Sequence, residues 1–402
     1  MKYYMGISGS IVATLIVLYM INSKFKESIS IKKLIETHTN VKIINDKQEV
    51  LSDTSIIVHN SDFYKQLITR GELGLAESYM DGHWKTPNLE KVIYELMENN
   101  KKLVNGLINL EYIYLGAKTY LLDYLPNNTI KSSRENIKHH YDIGNDLYEK
   151  MLGKHMLYTC AYFKDDTMSL DDAQYAKMEL IAKKLNLKPG QKILDIGCGF
   201  GSLAVYLADK YNVTVDGVTI SEEQIKYYTK HYNHPSVTIH NLDYRNMVGS
   251  YDRIYSIGMF EHVGRKNYKA YFDKCYELLK DDGIMLLHTI GANNSQKKSP
   301  FISKYIFPEG ELPKLTDLIA YNDKWHLEDL QNIGKSYSKT LRKWYENIGD
   351  WSGLNNYDDR FRRMWEFYLL SCSAGFDRKK IYLWQLVYTK TTNKEYDCYY
   401  LR

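Results

Sequence analysis

The stretch ILDIGCGFG, residues 193–201, decides the fold class that this sequence predicts. Its start, Ile193, Leu194 and Ile196, is the apolar run of a buried parallel strand, and three glycines at alternate positions follow. Glycine has no side chain, so the backbone there can approach a ligand closely. Apolar side chains then recur at helical spacing on one face, at Leu203, Ala204, Val205, Leu207 and Ala208. A strand, a glycine turn and a helix start together predict a cradle for a nucleotide-like ligand.

The glycine pattern favours one cofactor over others. Gly197, Gly199 and Gly201 spell GxGxG, and Ser202 takes the place of the third glycine of the GxGxxG dinucleotide fingerprint, which argues against NAD or FAD. Any tight turn between a strand and a helix favours glycine. Three glycines preceded by Asp195 at the strand tip are more specific, because DxGxGxG after a strand is typical of S-adenosylmethionine-dependent methyltransferases.

Length, charge and cysteine content limit the class of protein. A chain of 402 residues exceeds what one hydrophobic core usually holds, so we expect two domains. With 53 basic and 49 acidic residues, the net charge of +4 predicts no nucleic-acid partner, although it would tolerate an anionic membrane. The 5 cysteines are odd in number and form no CxxC pair. We therefore expect neither a disulfide framework nor a zinc site, and a reducing compartment.

Residues 1–25 differ from the rest of the chain. The segment 5–21 carries no charge and, at about 17 residues, reaches the lower limit for a membrane span. A cleaved signal peptide is the alternative, but no small-x-small cleavage site follows the apolar run. Four lysines follow the segment and only Lys2 precedes it within the chain. By the positive-inside rule we expect an uncleaved anchor with the body of the protein in the cytoplasm.

Residues 28–125 read as a small α+β domain, with short strands at 41–44 and 55–58. Thr86 as N-cap and Pro87 as first helical residue predict a helix start. Trp84 with Tyr79 and Met80 could meet lipid, but a packed core is the more common use of such residues. No catalytic constellation is visible in this domain.

Residues 123–131, with a proline and two asparagines, predict a linker. After it, the adjacent residues His139 and His140 could indicate a metal site. Neighbouring residues on a helix point about 100° apart, and no other ligand spacing accompanies the pair, so we predict no metal site.

The catalytic domain, residues 126–402, alternates helices with strands and predicts a doubly wound parallel sheet. The expected strands are 192–196, 213–218, 237–240, 253–257, 283–288 and, as an edge strand, 381–390. Ligands of such sheets bind beyond the carboxyl ends of the strands. Polar residues stand at each of these ends: Asp195, Thr219 with Ser221, Asp243 with Tyr244, Glu261 with His262, and His288.

Six motifs, in order, resemble the cyclopropane-fatty-acyl-phospholipid synthase family, which includes the mycolic acid cyclopropane synthases. They are YDIGNDLYEKMLGKHMLYTCAYF (141–163), ILDIGCGFGSLA (193–204), GVTISEEQ (217–224), YDRIYSIGMFEHVG (251–264), LLHTIG (286–291) and MWEFYLLSCSAGF (364–376). Residues 58–84 also resemble the lipid-associated amino-terminal domain of the bacterial phospholipid enzymes. The segment 5–21 lies outside what the family usually has.

The resemblance implies a Rossmann-like S-adenosylmethionine methyltransferase fold and a set of cofactor contacts. Those implied contacts, added to Asp195 and Gly201 of the glycine motif, are Tyr158, Thr159, Gly197, Gly199, Thr219, Gln224, Tyr244 and Arg245. The acid that usually holds the ribose at the end of the second strand is replaced by Thr219. The resemblance assigns the ribose to Gln224 instead.

The resemblance also implies the reaction, which adds a methylene across the cis double bond of a membrane phospholipid acyl chain. Family members are similar in holding bicarbonate as the base, at the positions of Cys160, Glu261, His288, Ile290 (backbone only) and Tyr337. Taken singly, Cys160 would more often be a small buried hydrophobe, Glu261 a helix-start acid and His288 a core histidine. Their place within the motifs favours the functional role.

One departure and two alternatives remain. Residues 328–334 read EDLQNIG where the family often reads EDWHNFG, which affects contacts between lipid-binding segments more than the chemistry. One alternative is a C-methyltransferase of the same fold that forms a methyl branch. The other is an inactive membrane-tethered binding module. We expect an unsaturated phospholipid and the membrane as partners, and a homodimer; the acyl chain and head group are not fixed by the sequence.

Overall fold

The computed structural model describes residues 24–45, 48–49, 52–106, 144–293, 299–308, 310–319, 324–390 and 396–398. The predicted anchor at 5–21, the linker at 123–131 and the histidine pair at 139–140 lie outside these ranges. Across the described ranges, no helix has both the length and the apolar character that crossing a membrane requires.

The helices and strands are numbered here in chain order. The helices are α1 (Lys24–His38), α2 (Asp62–Met80), α3 (Leu89–Glu98), α4 (Asn100–Gly106), α5 (Asn145–Leu152), α6 (Leu170–Lys184), α7 (Ser202–Tyr211), α8 (Glu222–His231), α9 (Tyr268–Leu278), α10 (Leu315–Ile319), α11 (Gly334–Ile348) and α12 (Asp359–Asp377). The strands are β1 (Lys42–Asn45), β2 (Ser55–Val58), β3 (Trp84–Lys85), β4 (Lys192–Ile196), β5 (Thr214–Thr219), β6 (Val237–Asn241), β7 (Tyr251–Ile257), β8 (Leu279–Gly291), β9 (Trp325–Asn332) and β10 (Tyr382–Lys390).

The described residues form two compact units. The first contains residues 24–106 together with 357–374, and the second contains residues 144–356 together with those from 375 onward. The first unit therefore takes most of α12 from the far end of the sequence. The domain boundaries at 28–125 and 126–402 stay a prediction.

The first unit holds a three-stranded sheet in the order β1-β2-β3, with β1 parallel and β3 antiparallel to β2. Trp84 is fully buried, and its indole N–H donates to Ser78 Oγ at 3.0 Å. Tyr79 and Met80 are also buried. The packed-core interpretation of these residues therefore fits the structure.

The predicted helix start in this unit is wrong by two residues. Helix α3 begins at Leu89, and its N-cap is Asn88, whose side chain accepts from the Lys91 N–H at 3.0 Å. Thr86 Oγ1 instead accepts from the Asn88 N–H at 3.3 Å and so closes a turn before the cap. Asparagine caps a helix at least as well as threonine, which explains why the start lies after Pro87.

The second unit is built on a seven-stranded sheet in the order β6-β5-β4-β7-β8-β10-β9. Strands β4 to β8 are parallel, whereas β10 runs antiparallel to both of its neighbours. The α/β class is confirmed, but the sheet is mixed. Strand β10 is not an edge strand, because it lies between β8 and β9. Its nearly continuous burial is typical of an interior strand, and the edge on this side of the sheet is β9, where only Trp325 and Asp329 are buried.

This topology fixes where a ligand can bind. After β4, the chain adds β5 and β6 on one side of it and then returns to add β7 and β8 on the other side. The strand order therefore reverses between β4 and β7. A doubly wound sheet binds ligands at the carboxyl ends of the strands beside such a switch point. The glycine turn follows β4 directly, and Gly258 to Glu261 follow β7.

Candidate active site

The three glycines after β4 serve different purposes. All have positive φ, at 84°, 56° and 84° for Gly197, Gly199 and Gly201. A Cβ at Gly197 would come within 2.7 Å of Met259, and one at Gly201 within 2.6 Å of Tyr228. A Cβ at Gly199 would meet nothing within 4 Å among the described residues. Packing therefore requires glycine at the outer two positions, while Gly199 leaves room beside the turn for a ligand.

Asp195 lies at the tip of β4, where it is buried with 2% exposure. Burial raises the pKa of its carboxyl to about 7, and an interaction with Tyr255 partly opposes that rise. A carboxyl that the protein desolvates at a switch point is a functional-site candidate, because a positively charged or hydrogen-bonding ligand would restore its ionised form.

The end of β5 carries a buried hydrogen-bond network. Thr219 Oγ1 donates to Gln224 Oε1 at 2.7 Å and accepts from the Ser221 N–H at 3.2 Å. Ser221 caps α8 by accepting from the Gln224 N–H at 3.3 Å. Thr219 thus orients the Gln224 amide, the residue to which the resemblance assigned the ribose.

The end of β6 is ordered by an ion pair. The Asp243 carboxylate accepts from Arg245 Nε at 2.7 Å and from Arg245 Nη2 at 2.6 Å. Between them, the Tyr244 ring meets the Tyr271 ring edge to face at 5.4 Å. Tyr244 and Arg245, both predicted cofactor contacts, therefore occupy defined positions just after the carboxyl end of β6.

Helix α6 holds the segment that carries Tyr158 and Thr159. Lys177 Nζ donates to Thr159 Oγ1 at 2.7 Å, and Gln174 Nε2 donates to the Thr159 carbonyl at 3.0 Å. Tyr158 packs against the Trp344 ring at 5.2 Å. The sequence analysis did not name Gln174 or Lys177. Both are polar residues on the buried face of an otherwise apolar helix stripe, and that pattern could have identified them.

Glu261 is a buried carboxyl with one fixed and one unpaired oxygen. Its Oε1 accepts from the Ile290 N–H at 2.6 Å, whereas its Oε2 has no partner among the residues that the structure describes. The side chain is 8% exposed. Burial raises the pKa of Glu261 to about 7, although the Ile290 N–H and, less strongly, the Glu261 N–H and the Thr289 hydroxyl lower it in part.

His288 lies in β8 with 1% exposure. Its Nδ1 faces the Gln385 amide nitrogen on β10 at 3.1 Å. Burial, together with the charges of Lys177 and Lys184, holds the pKa of His288 well below its usual range, so the ring is neutral. With the amide donating to Nδ1, the ring proton is on Nε2, which can donate to an anion.

Cys160 contacts α11, the helix that carries Tyr337. The Cys160 thiol is fully buried, 3.9 Å from Thr340 Oγ1, and Thr340 follows Tyr337 by one helical turn. The Tyr337 ring stacks on Phe376 at 4.6 Å. Burial raises the pKa of Cys160 far above its usual value, so the residue is a thiol and not a reactive thiolate.

The structure therefore joins some predicted site residues directly and others through shared neighbours. Glu261 and Ile290 share a hydrogen bond, and His288 precedes Ile290 by two residues in the same strand. The charge of Lys177 lowers the pKa of both Cys160 and His288. The roles assigned to these residues stay predictions.

Comparison with known proteins supports the same assignment. Residues 128–386 match the family model described as mycolic acid cyclopropane synthetase. The cyclopropane-fatty-acyl-phospholipid synthase of Escherichia coli K12 is 44% identical over 344 residues, which covers 83% of this chain and 87% of that enzyme. The sphingolipid C9-methyltransferase of Candida albicans is 32% identical, covering 68% of this chain and 58% of that enzyme.

A solved structure agrees in fold. The mycolic acid cyclopropane synthase CmaA1, complexed with SAH and CTAB, superposes with a TM-score of 0.58 at 30% identity, covering 64% of this chain and 98% of that one. The resemblance seen in the motifs is thereby confirmed. The chain belongs to the mycolic acid cyclopropane synthetase family of S-adenosylmethionine-dependent methyltransferases.

Proposed function

We propose that this protein is a cyclopropane-fatty-acyl-phospholipid synthase, which transfers a methylene from S-adenosylmethionine to the cis double bond of an unsaturated acyl chain. The structural observation behind the proposal is the pair formed by Glu261 and Ile290, in which a buried carboxyl keeps one unpaired oxygen. The 44% identity to the E. coli synthase over most of both chains supports the same activity.

The reaction needs positioning and exclusion of water more than it needs a reactive side chain. An alkene is a weak nucleophile, so the site must align the double bond with the electrophilic sulfonium methyl group. The turn at Gly199 and the segment at Thr159, fixed by α6, are suited to hold the cofactor. Low exposure of Glu261 and His288 keeps bulk water from trapping the cation as an alcohol. The ring of Tyr337 could steady that charge by about 1 kcal/mol.

Closing the ring requires a base for the proton that leaves the transferred methyl group. Bicarbonate would supply that base, and the residues proposed to hold it are Cys160, Glu261, His288 and Tyr337. The unpaired Glu261 Oε2 and the His288 Nε2–H fit an ion that both donates and accepts hydrogen bonds. The Ile290 N–H already donates to Glu261, so its role in this arrangement is to orient the carboxyl group.

We further propose that the enzyme works at the membrane surface. An acyl chain gains little by leaving one apolar environment for another, so the lipid is not drawn far from the bilayer. The uncharged segment 5–21 would serve as the single anchor, with the lysines after it keeping the catalytic domain in the cytoplasm. A homodimer would present two such anchors to one membrane.

A second candidate is a lipid C-methyltransferase that leaves a methyl branch in place of a ring. The 32% identity to the sphingolipid C9-methyltransferase of Candida albicans supports this second candidate. The two activities differ in the fate of the cation, since the base must remove the proton from the transferred methyl group for a ring to close.

Purified protein incubated with S-adenosylmethionine and vesicles of a monounsaturated phospholipid separates these candidates. We expect a product in which proton NMR shows cyclopropane ring methylene signals. A methyl or methylene branch on the acyl chain would support the second candidate, and unchanged lipid from folded, cofactor-binding protein would support the inactive module.

A further inference from the structure

Lys177 has a side chain that the reaction described so far does not use. It lies on α6 with no exposed surface, and its Nζ donates to Thr159 Oγ1 at 2.7 Å. Among the residues that the structure describes, no carboxylate forms an ion pair with it. Burial lowers the pKa of Lys177 to about 7. Burial without a countercharge disfavours the charged form of a lysine, so an anion bound beside Lys177 would favour its protonated form and be attracted to it in return.

Lys184, on the same helix, is a buried lysine whose charge is balanced by an ion pair within the protein. It follows Lys177 by seven residues, is 1% exposed, and places Nζ 2.9 Å from Asp329 Oδ2. One buried lysine of α6 thus has its countercharge within the chain. Among the described residues, the other has a hydroxyl partner only.

The position of Lys177 indicates what its missing countercharge would be. Its hydroxyl partner, Thr159, directly precedes Cys160, and its charge lowers the pKa of the Cys160 thiol and of the His288 ring. The latter two residues are among those proposed to hold bicarbonate. No other residue proposed to hold the ion carries a positive charge, because His288 is neutral and Cys160 is a thiol.

We propose that Lys177 supplies the positive charge that holds the anionic base beside Cys160 and His288, and thereby also fixes the Thr159 hydroxyl. This inference rests on the proposed function. It adds an anion-binding residue to the site.

The test compares Lys177→Met with the wild type in degassed buffers with added bicarbonate. Methionine keeps the unbranched shape of the side chain, one atom shorter, and removes the charged group. We expect the half-saturating bicarbonate concentration to rise about tenfold to a hundredfold, since hydrogen bonds to charged groups are of that strength. Saturating bicarbonate should restore most of kcat. The affinity for S-adenosylmethionine should fall less than in a variant that lacks the Thr159 hydroxyl itself, and the unfolding temperature should not fall, because the removed charge has no ion-pair partner among the described residues.

Two further variants keep the inference falsifiable. Lys177→Arg retains the charge and should retain most of the bicarbonate affinity. Thr159→Val removes the hydroxyl alone and should weaken cofactor binding without a comparable change in bicarbonate half-saturation. If Lys177→Met shows unchanged bicarbonate half-saturation, the inference is wrong, and a lower unfolding temperature beside that result would show that Lys177 is structural. A wild-type rate that is independent of bicarbonate would instead overturn the proposed base, and this inference with it.

Discussion

The Ile290 N–H donates to Glu261 Oε1 at 2.6 Å and leaves Oε2 without a partner among the described residues. The backbone bond holds one oxygen of the carboxyl group in place and so limits the directions in which the second oxygen can point. Because burial brings the pKa of Glu261 to about 7, the group can both accept and release a proton near neutral pH. This is the property that a proton-transfer residue in a water-poor site requires.

Replacing Glu261 should therefore affect the rate far more than replacing Cys160. In Glu261→Gln the amide cannot accept a proton, and removal of a positioned acid-base group typically costs about a hundredfold to ten-thousandfold in rate. Cys160→Ser preserves size, and the buried thiol is not a nucleophile, so substantial activity should remain. Steady-state rates with phospholipid vesicles measure both effects.

Both variants must first be shown to fold and to bind cofactor. An inactive Cys160→Ser protein beside a Glu261→Gln protein of near wild-type rate would refute the proposed base mechanism. Added bicarbonate should partly rescue a variant that only weakens anion binding, such as Tyr337→Phe.

The raised pKa of Glu261 also predicts how stability depends on pH. The folded state binds a proton at Glu261 more tightly than the unfolded chain does, because the pKa rises from 4.5 to about 7 on folding. The contribution of this group is fully present below the unfolded pKa and is lost as pH rises through the folded one. Glu261→Gln cannot ionise, so its stability relative to wild type should increase by roughly 1 to 3 kcal/mol from pH 5 to pH 8.

Urea unfolding at the two pH values measures this difference. Gln at this position can still accept from the Ile290 N–H through its amide oxygen, so the comparison isolates the charge. A difference that is equal at pH 5 and pH 8 would show that Glu261 titrates normally in the folded protein.

The open position at Gly199 predicts a loss of cofactor binding without loss of fold. Gly199→Val should abolish binding of S-adenosylmethionine, because the new side chain would enter the space beside the turn. Gly190 is a matched control: its φ is also positive, at 82°, and a Cβ there likewise meets no described residue within 4 Å. Gly190→Val carries a similar backbone strain of about 1 to 2 kcal/mol and should bind the cofactor normally.

Calorimetric titration of both folded variants decides the point. Near-native affinity in Gly199→Val would overturn the cofactor assignment of the glycine turn. Equal loss in both variants would show that strain, and not the ligand, is responsible.

Deleting residues 1–25 should leave a foldable enzyme with lower activity on cellular membranes. A tether raises the local concentration of enzyme and lipid, so its loss should reduce the rate at the bilayer more than the rate on detergent-dispersed lipid. Fractionation after a high-salt wash measures the anchoring. If the truncated protein stays entirely in the membrane fraction, the segment is not the principal anchor.

The sequence predicted the parts of the fold that depend on local pattern. The bounds of β4, 192–196, agree with the structure because an apolar run between polar residues and a glycine turn has no competing interpretation. The position of β10 could not be read in this way. Its apolar run indicates burial on both faces, but only the pairing with β9 and β8 shows that it is interior, and β9 itself reads as a polar segment, WHLEDLQN.

In the site too, local motifs were predicted from the sequence, whereas contacts between distant segments were not. Motif resemblance identified Glu261 and His288, yet it could not show that Glu261 uses the Ile290 N–H, which depends on two strand ends meeting. Gln385 and Lys177 lie in no quoted motif and act through contacts far apart in sequence. A polar residue on a buried face is the local sequence sign of a residue that positions another side chain. The sequence does not show which side chain that is.

The central claim, that this chain forms cyclopropane rings in membrane lipids, is tested most directly by expressing it in a host that lacks them. Lipids are compared with those of cells that express Glu261→Gln, by mass spectrometry and NMR. We predict that unsaturated acyl chains gain the mass of one methylene, that the new signal is a ring methylene, and that the variant forms little of it. Lipids left unchanged by the folded wild-type enzyme, or mass gained only as a branch or a hydroxyl group, would contradict the claim.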